Sequence, residues 1–76
     1  MIRERNTREI IEVIKDIISP YYGEVKIFNK EVAAVLRINP PTLATHKKRN
    51  AEIYKEVLDF CLRTGCDPMK IFYEIQ

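Results

Sequence analysis

Two consecutive prolines, Pro40 and Pro41, stand between two runs of helical periodicity. Each lacks an amide donor and its ring clashes with the preceding turn. A helix interior therefore excludes them, whereas the first helical turn accepts them because its amides have no intrahelical partner. The pair predicts that a helix starts near Pro40. Asn39 is biased out of the α region by the adjoining proline and carries a good N-cap side chain, so it is the expected cap.

Before the turn, Asn29 supplies a start signal, and Val32, Val35 and Leu36 form an apolar stripe at three- and four-residue spacing. Ala33 and Ala34 are small enough to let a crossing helix approach closely. After the turn, Leu43, His46 and Asn50 fall on one side of a 3.6-residue period. Pro41, Thr42, Thr45, Lys48 and Arg49 fall on another, a polar and basic face. The segment from Asn29 to Arg49 is thus a short helix, a tight turn and a second helix ending in cations, the sequence shape of a helix-turn-helix DNA-binding unit.

Charge tracks the motif. The net charge of +2 is too small to identify a nucleic-acid protein. Between Lys26 and Asn50, however, Lys26, Lys30, Arg37, Lys47, Lys48 and Arg49 oppose Glu31 alone, a local excess of +5 that leaves −3 for the remainder. Thr42 and Thr45 carry hydroxyls and methyls suited to base edges, while Lys30, Lys47, Lys48 and Arg49 are long enough to hold phosphates. The bland reading of Lys47, Lys48 and Arg49 is a solvated helix end favoured by the macrodipole.

The stretch KEVAAVLRINPPTLATHKKRN, together with the segment EVLDFCLRTGCDP beyond it, resembles the N-terminal domain of phage CI-type repressors, in the lambda-repressor-like helix-turn-helix superfamily. The likeness covers roughly Lys26 to Tyr73. In that family a small residue stands at the position of Ala33 and an aliphatic one at that of Leu43. A basic run like Lys47, Lys48 and Arg49 comes next, and EVLDFCLRTGCDP is similar to the family's fourth helix and the turn after it. Glycine is usual where this chain has Arg37, a large apolar residue is common where it has His46, and an isoleucine-proline-tyrosine step is replaced by Glu52, Ile53 and Tyr54. The resemblance implies a five-helix fold, transcriptional repression and self-association through the terminal helix.

The rest of the chain is read from its periodicity. With 76 residues there is room for one domain, residues 1–76, and one modest core. A first helix is expected from about Thr7 to Ser19, with Thr7 as cap, Ile10, Ile14, Ile17 and Ile18 as its buried face, Ile11 and Val13 extending it, and Pro20 as its stop. The alternation Glu24-Val25-Lys26-Ile27 suggests a strand, but no second convincing strand pairs with it, so a linker with Val25, Ile27 or Phe28 plugging the core is expected instead. A fourth helix should span Ala51 to Thr64, with Ile53, Val57, Phe60 and Cys61 in one stripe, Tyr54, Leu58 and Leu62 widening it, and Gly65 as C-cap. Asp67 and Pro68 should start a fifth helix, whose Met69, Phe72 and Ile75 serve the core or a homodimer.

No apolar run approaches a membrane span, and Glu12, Lys15 and Asp16 interrupt the isoleucines after the charged start, unlike a signal peptide. A soluble cytoplasmic protein is expected. One histidine, no nucleophile motif, no phosphate loop and no placed carboxylate pair argue against an enzyme. Cys61 and Cys66 have neither a redox nor a common zinc spacing. With His46 and Asp67 they make four potential ligands, but reduced thiols are the simpler reading, and neither metal nor cofactor is expected.

The sequence therefore predicts an all-α, five-helix domain of lambda-repressor-like form that binds double-stranded DNA as a phage or prophage regulator. The helix from Pro40 to Arg49 would lie in the major groove, with Thr42 and Thr45 against bases, Lys30, Lys47, Lys48 and Arg49 on phosphates, and Pro41 on the same DNA-binding face. A dimer formed through the C-terminal helix would read half-sites about 34 Å apart. The competing expectation is a protein-interaction module, an antirepressor or regulatory subunit that keeps the scaffold and binds DNA weakly or not at all. The prolines and the missing turn glycine support it.

Overall fold

The computed structural model describes residues 1–23 and 26–75. Five α-helices carry most of the chain: α1 (Thr7–Ile18), α2 (Asn29–Leu36), α3 (Pro40–Arg49), α4 (Tyr54–Thr64) and α5 (Pro68–Phe72). A 3-10 turn, Ser19–Tyr22, comes after α1. Two short strands, β1 (Ile2–Glu4) and β2 (Tyr73–Ile75), pair antiparallel and bring the chain's ends together, with Arg3 opposite Glu74. The fold is mostly helical with five helices, as expected of an all-α chain, and it adds a small two-stranded sheet that was not expected. Three-residue strands lie too near the base level of alternation to be seen in sequence, and the alternation that does suggest a strand includes Glu24 and Val25, outside the described residues.

The cap of α1 lies one residue before the expected Thr7. Asn6 accepts a hydrogen bond from the Glu9 amide at 2.9 Å, and Glu9 accepts one from the Asn6 amide at 3.1 Å, a reciprocal capping box. Thr7 is instead the first helical residue. Ile10, Ile11, Ile14 and Ile18 are buried, while Val13 and Ile17 lie at the edge of the core. Ile11 thus takes the central place expected of Ile17, because the face centres on the 7, 11, 14, 18 spacing. Pro20 falls in the 3-10 turn, and Gly23 closes it at φ 74°.

In α2 the cap is Phe28, and Asn29 is the first helical residue. The Glu31 carboxylate accepts from the Phe28 amide at 3.0 Å, which fixes that end without Asn29. Val32, Ala33 and Leu36 are buried and Val35 half-buried, whereas Ala34 is exposed, so only Ala33 provides the close approach expected of both alanines. Ile27 plugs the core as expected; Phe28 is 51% exposed.

α4 starts at Tyr54 rather than Ala51, because Asn50 adopts a left-handed conformation and Ala51 donates to the His46 carbonyl at 2.9 Å, turning the chain sharply. Val57, Phe60 and Cys61 face inward, but Leu58 and Leu62 are exposed and do not widen the stripe. Gly65 caps the helix at φ 77°. Asp67 caps α5 through the Met69 amide at 3.0 Å. The buried residue of α5 is Ile71 and Phe72 packs against the core as expected, while Met69 and, in β2, Ile75 are exposed. The cause is the short helix: it ends at Phe72, so the period used to place Ile75 does not reach it.

Buried side chains of all five helices, with Ile27 and Ile53, form one core. Among the described residues no helix is long and apolar enough to cross a membrane.

Candidate nucleic-acid interface

The turn between α2 and α3 is set by the backbone of Arg37, which is left-handed at φ 58° and ψ 39°. Its amide bonds the last carbonyls of α2, and the Ile38 amide reaches the Ala33 carbonyl at 2.9 Å, a Schellman closure with Ile38 packed against the core. Glycine suits this position best, and arginine holds it at a steric cost. Asn39 then occupies the N-cap position, φ −63° and ψ 132°, but its side chain makes no capping bond. Part of the reason is local: Pro41 stands at the second helical position and so removes one of the two amides, those of the second and third residues, that such a cap serves.

α3 is anchored at its centre and its end. Leu43 is fully buried on the inner side. At the C-terminus Asn50 is left-handed at φ 53°, and its Oδ1 accepts from the Thr7 amide at 2.8 Å; the Thr7 hydroxyl in turn donates to the Ala51 carbonyl at 2.7 Å. Asn50 therefore ends one helix and satisfies an unpaired first-turn amide of another. His46 is half-buried, with Nδ1 buried and lacking a hydrogen-bond partner. An apolar side chain there would avoid that cost.

The opposite side of α3 is open to solvent. Pro41, Thr42, Thr45, Lys48 and Arg49 are all exposed. The Thr45 hydroxyl donates to the Pro41 carbonyl at 3.0 Å, so its proton is held within the helix while the exposed side chain keeps its lone pairs and methyl for other contacts. In that state Thr45 can accept from a base amino group or touch a thymine methyl. The described ion pairs involve Arg3, Lys15 and Arg63, so none holds a cation of α3.

The cations of α3 divide. Lys48 and Arg49 stay on the outer face, whereas Lys47 is half-buried and turns into an open groove shared with Lys15 of α1, Lys26, and Lys30 of α2. The sequence-predicted site residues therefore form two neighbouring groups: Pro41, Thr42, Thr45, Lys48 and Arg49 on one face, and Lys30 with Lys47 at the groove. Lys15 is an addition that the sequence does not announce. Its position on α1 carries no linear signal linking it to the motif, whereas Lys26 falls within the motif's excess of positive charge.

Elsewhere Cys61 is buried, which pushes its thiol pKa up, and Cys66 is half-buried. Among the described residues no three His, Cys, Asp or Glu side chains gather as metal ligands would. Comparison with family models, curated proteins and solved structures returned no match to this chain.

Proposed function

We propose that this chain is a sequence-specific double-stranded DNA-binding regulator of the phage repressor type, with α2 and α3 as a lambda-repressor-like helix-turn-helix. The observation that carries the reading is the outer face of α3: Pro41, Thr42 and Thr45 exposed beside Lys48 and Arg49, on a helix held from behind by Leu43 and at its end by Asn50. A rigid helix with short polar residues near its start and cations near its end suits insertion into a major groove, where the former meet base edges and the latter phosphates. The left-handed Arg37 supports it too, since the turn keeps the geometry that glycine serves in the resembled family.

Repression would act by occlusion of the bound site, and a homodimer through the C-terminal segment would double the reading length. The second reading, a protein-interaction module, draws on the same helix: two prolines at its start remove backbone donors, and the Thr45 proton is already committed.

One experiment separates them. The protein is titrated by fluorescence anisotropy against a pool of random duplexes at two salt concentrations, and the retained fraction is sequenced. Enrichment of a dyad-symmetric site, with affinity falling steeply as salt rises, is expected of the regulator. Negligible binding at low salt would move the assignment to the protein-interaction module.

A further inference from the structure

The groove beside α3 gathers four lysines from four segments of the chain. Lys15 comes from the last turn of α1, Lys26 from the segment before α2, Lys30 from the first turn of α2 and Lys47 from the last turn of α3. Buried Ile27 and half-exposed Phe28 supply its apolar wall, and the Lys26 ammonium lies 5.4 Å from the centre of the Phe28 ring. Lys15 is 3.5 Å from the Glu12 carboxylate, its side chain only 18% exposed. No carboxylate pairs with Lys26, Lys30 or Lys47 among the described residues. Glu12 and Asp16 line the adjoining cleft, which bounds the cationic zone on that side.

Collecting like charges around one groove opposes folding of the isolated chain, and an anionic occupant converts that repulsion into attraction. Two further features favour an anion. The groove meets the first turn of α2, where the Glu31 amide bonds the Phe28 carbonyl at 3.1 Å but the amides of Asn29 and Lys30 have no intrahelical acceptor. It is also open rather than enclosed, and its Lys47 directly precedes Lys48 and Arg49 in the last turn of α3. An open groove with lysines spread over four segments suits a chain of phosphates better than a single small anion.

We infer that this groove holds a stretch of the phosphodiester backbone of the bound duplex, with Lys15 and Lys26 contacting phosphates alongside Lys30 and Lys47. The inference rests on the proposed DNA binding and adds to it. A helix in a major groove has a phosphate backbone along each flank. Lys48 and Arg49 serve the outer face, and the lysine groove engages the backbone on the flank nearer α1.

The test is the salt dependence of binding to a random-sequence duplex, measured by fluorescence anisotropy for the full chain. Each phosphate contact removed should lower the steepness of log affinity against log salt by about 0.9. Lys26→Ala and Lys15→Gln are each expected to show that loss with sequence preference unchanged. Lys26→Arg should restore the slope, which a merely structural role of the lysine would not predict. Lys70→Ala removes the same charge from α5, away from the groove, and should leave the slope as it was.

Because Lys15 also pairs with Glu12, the Lys26 variants decide if Lys15→Gln disturbs α1. Wild-type slopes in Lys26→Ala, with Arg49→Ala reducing the slope, would overturn the groove while leaving the DNA reading standing. Absence of duplex binding by the unmodified protein at low salt would overturn both.

Discussion

Among the described residues two hold left-handed backbone without being glycine, and they bracket α3: Arg37 just before its start and Asn50 just past its end. Left-handed geometry costs an ordinary side chain about 1–2 kcal/mol, less for asparagine. Arg37→Gly should therefore raise unfolding stability by about 0.5–1 kcal/mol, part of the gain being offset by the freer unfolded chain. Urea denaturation checks it, and an unchanged or lower midpoint would mean that the arginine side chain contributes more than its backbone strain costs. Asn50 separates two effects that usually coincide. Asn50→Gly keeps the backbone but loses the bond to the Thr7 amide, and about 1 kcal/mol is the expected loss. Asn50→Ala loses both, so its cost should approach 2 kcal/mol, and equal destabilisation by the two variants would exclude the backbone contribution.

At the scale of the element, α3 is the most legible part of the chain, because a proline pair dictates where a helix can start and the 3.6-residue period then assigns every face. Leu43 inward and Thr42, Thr45, Lys48 and Arg49 outward all follow from that start. Boundaries are less legible where several polar residues compete for one capping position. Asn6 rather than Thr7 caps α1, since only Asn6 stands three residues before Glu9, and Phe28 caps α2 through Glu31 with no cap-forming side chain of its own. The Thr7 to Asn50 clasp and the placement of Lys15 beside Lys47 are invisible in the sequence, being contacts between distant segments that no local pattern encodes. Within α3 the committed Thr45 proton makes a specific forecast for the proposed DNA complex. If a lone pair of its hydroxyl reads a base amino group, Thr45→Ser should keep the preference at that base pair and Thr45→Val should lose it, by about 1–3 kcal/mol. If the methyl reads thymine, the two variants exchange behaviour. Competition binding with single-base variants of an enriched duplex distinguishes them, and full discrimination in both variants would remove Thr45 from the set of readers.

For the whole molecule, the chain ends close the fold, and the groups that join them are titratable. The Arg3 guanidinium on β1 bonds Glu9 of α1 and Glu74 of β2, while the Tyr54 hydroxyl of α4 donates to Glu4 of β1 at 2.7 Å. Arg5 adds backbone and side-chain bonds to the end of α5, its amide to the Phe72 carbonyl at 2.8 Å and its guanidinium to that of Lys70 at 2.6 Å. The Arg3 hydrogen bond, and after it the Asn6 amide, lowers the Glu9 pKa from 4.5 to about 2. A carboxylate depressed in the folded state stabilises above its unfolded pKa, so this contribution is complete above about 4.5 and disappears as pH falls towards 2. Tyr54 has the opposite sign: the Glu4 carboxylate accepting its proton raises its pKa from 10.0 to about 12. Its contribution is complete below 10 and lost as pH rises through 12. The two limbs should be separable by mutation. Arg3→Gln should narrow the difference in urea midpoint between about pH 7 and about pH 3 and leave the alkaline limb unchanged, whereas Tyr54→Phe should flatten the alkaline limb alone. Both bonds lie at the surface, where solvent screening keeps such contributions small, so the comparison is the change in slope between variants rather than any absolute loss. If Arg3→Gln reproduced the acid limb of the unmodified protein, the closure would rest on the strand pairing and the Arg5 bonds, because those persist when the Arg3 to Glu9 pair is gone.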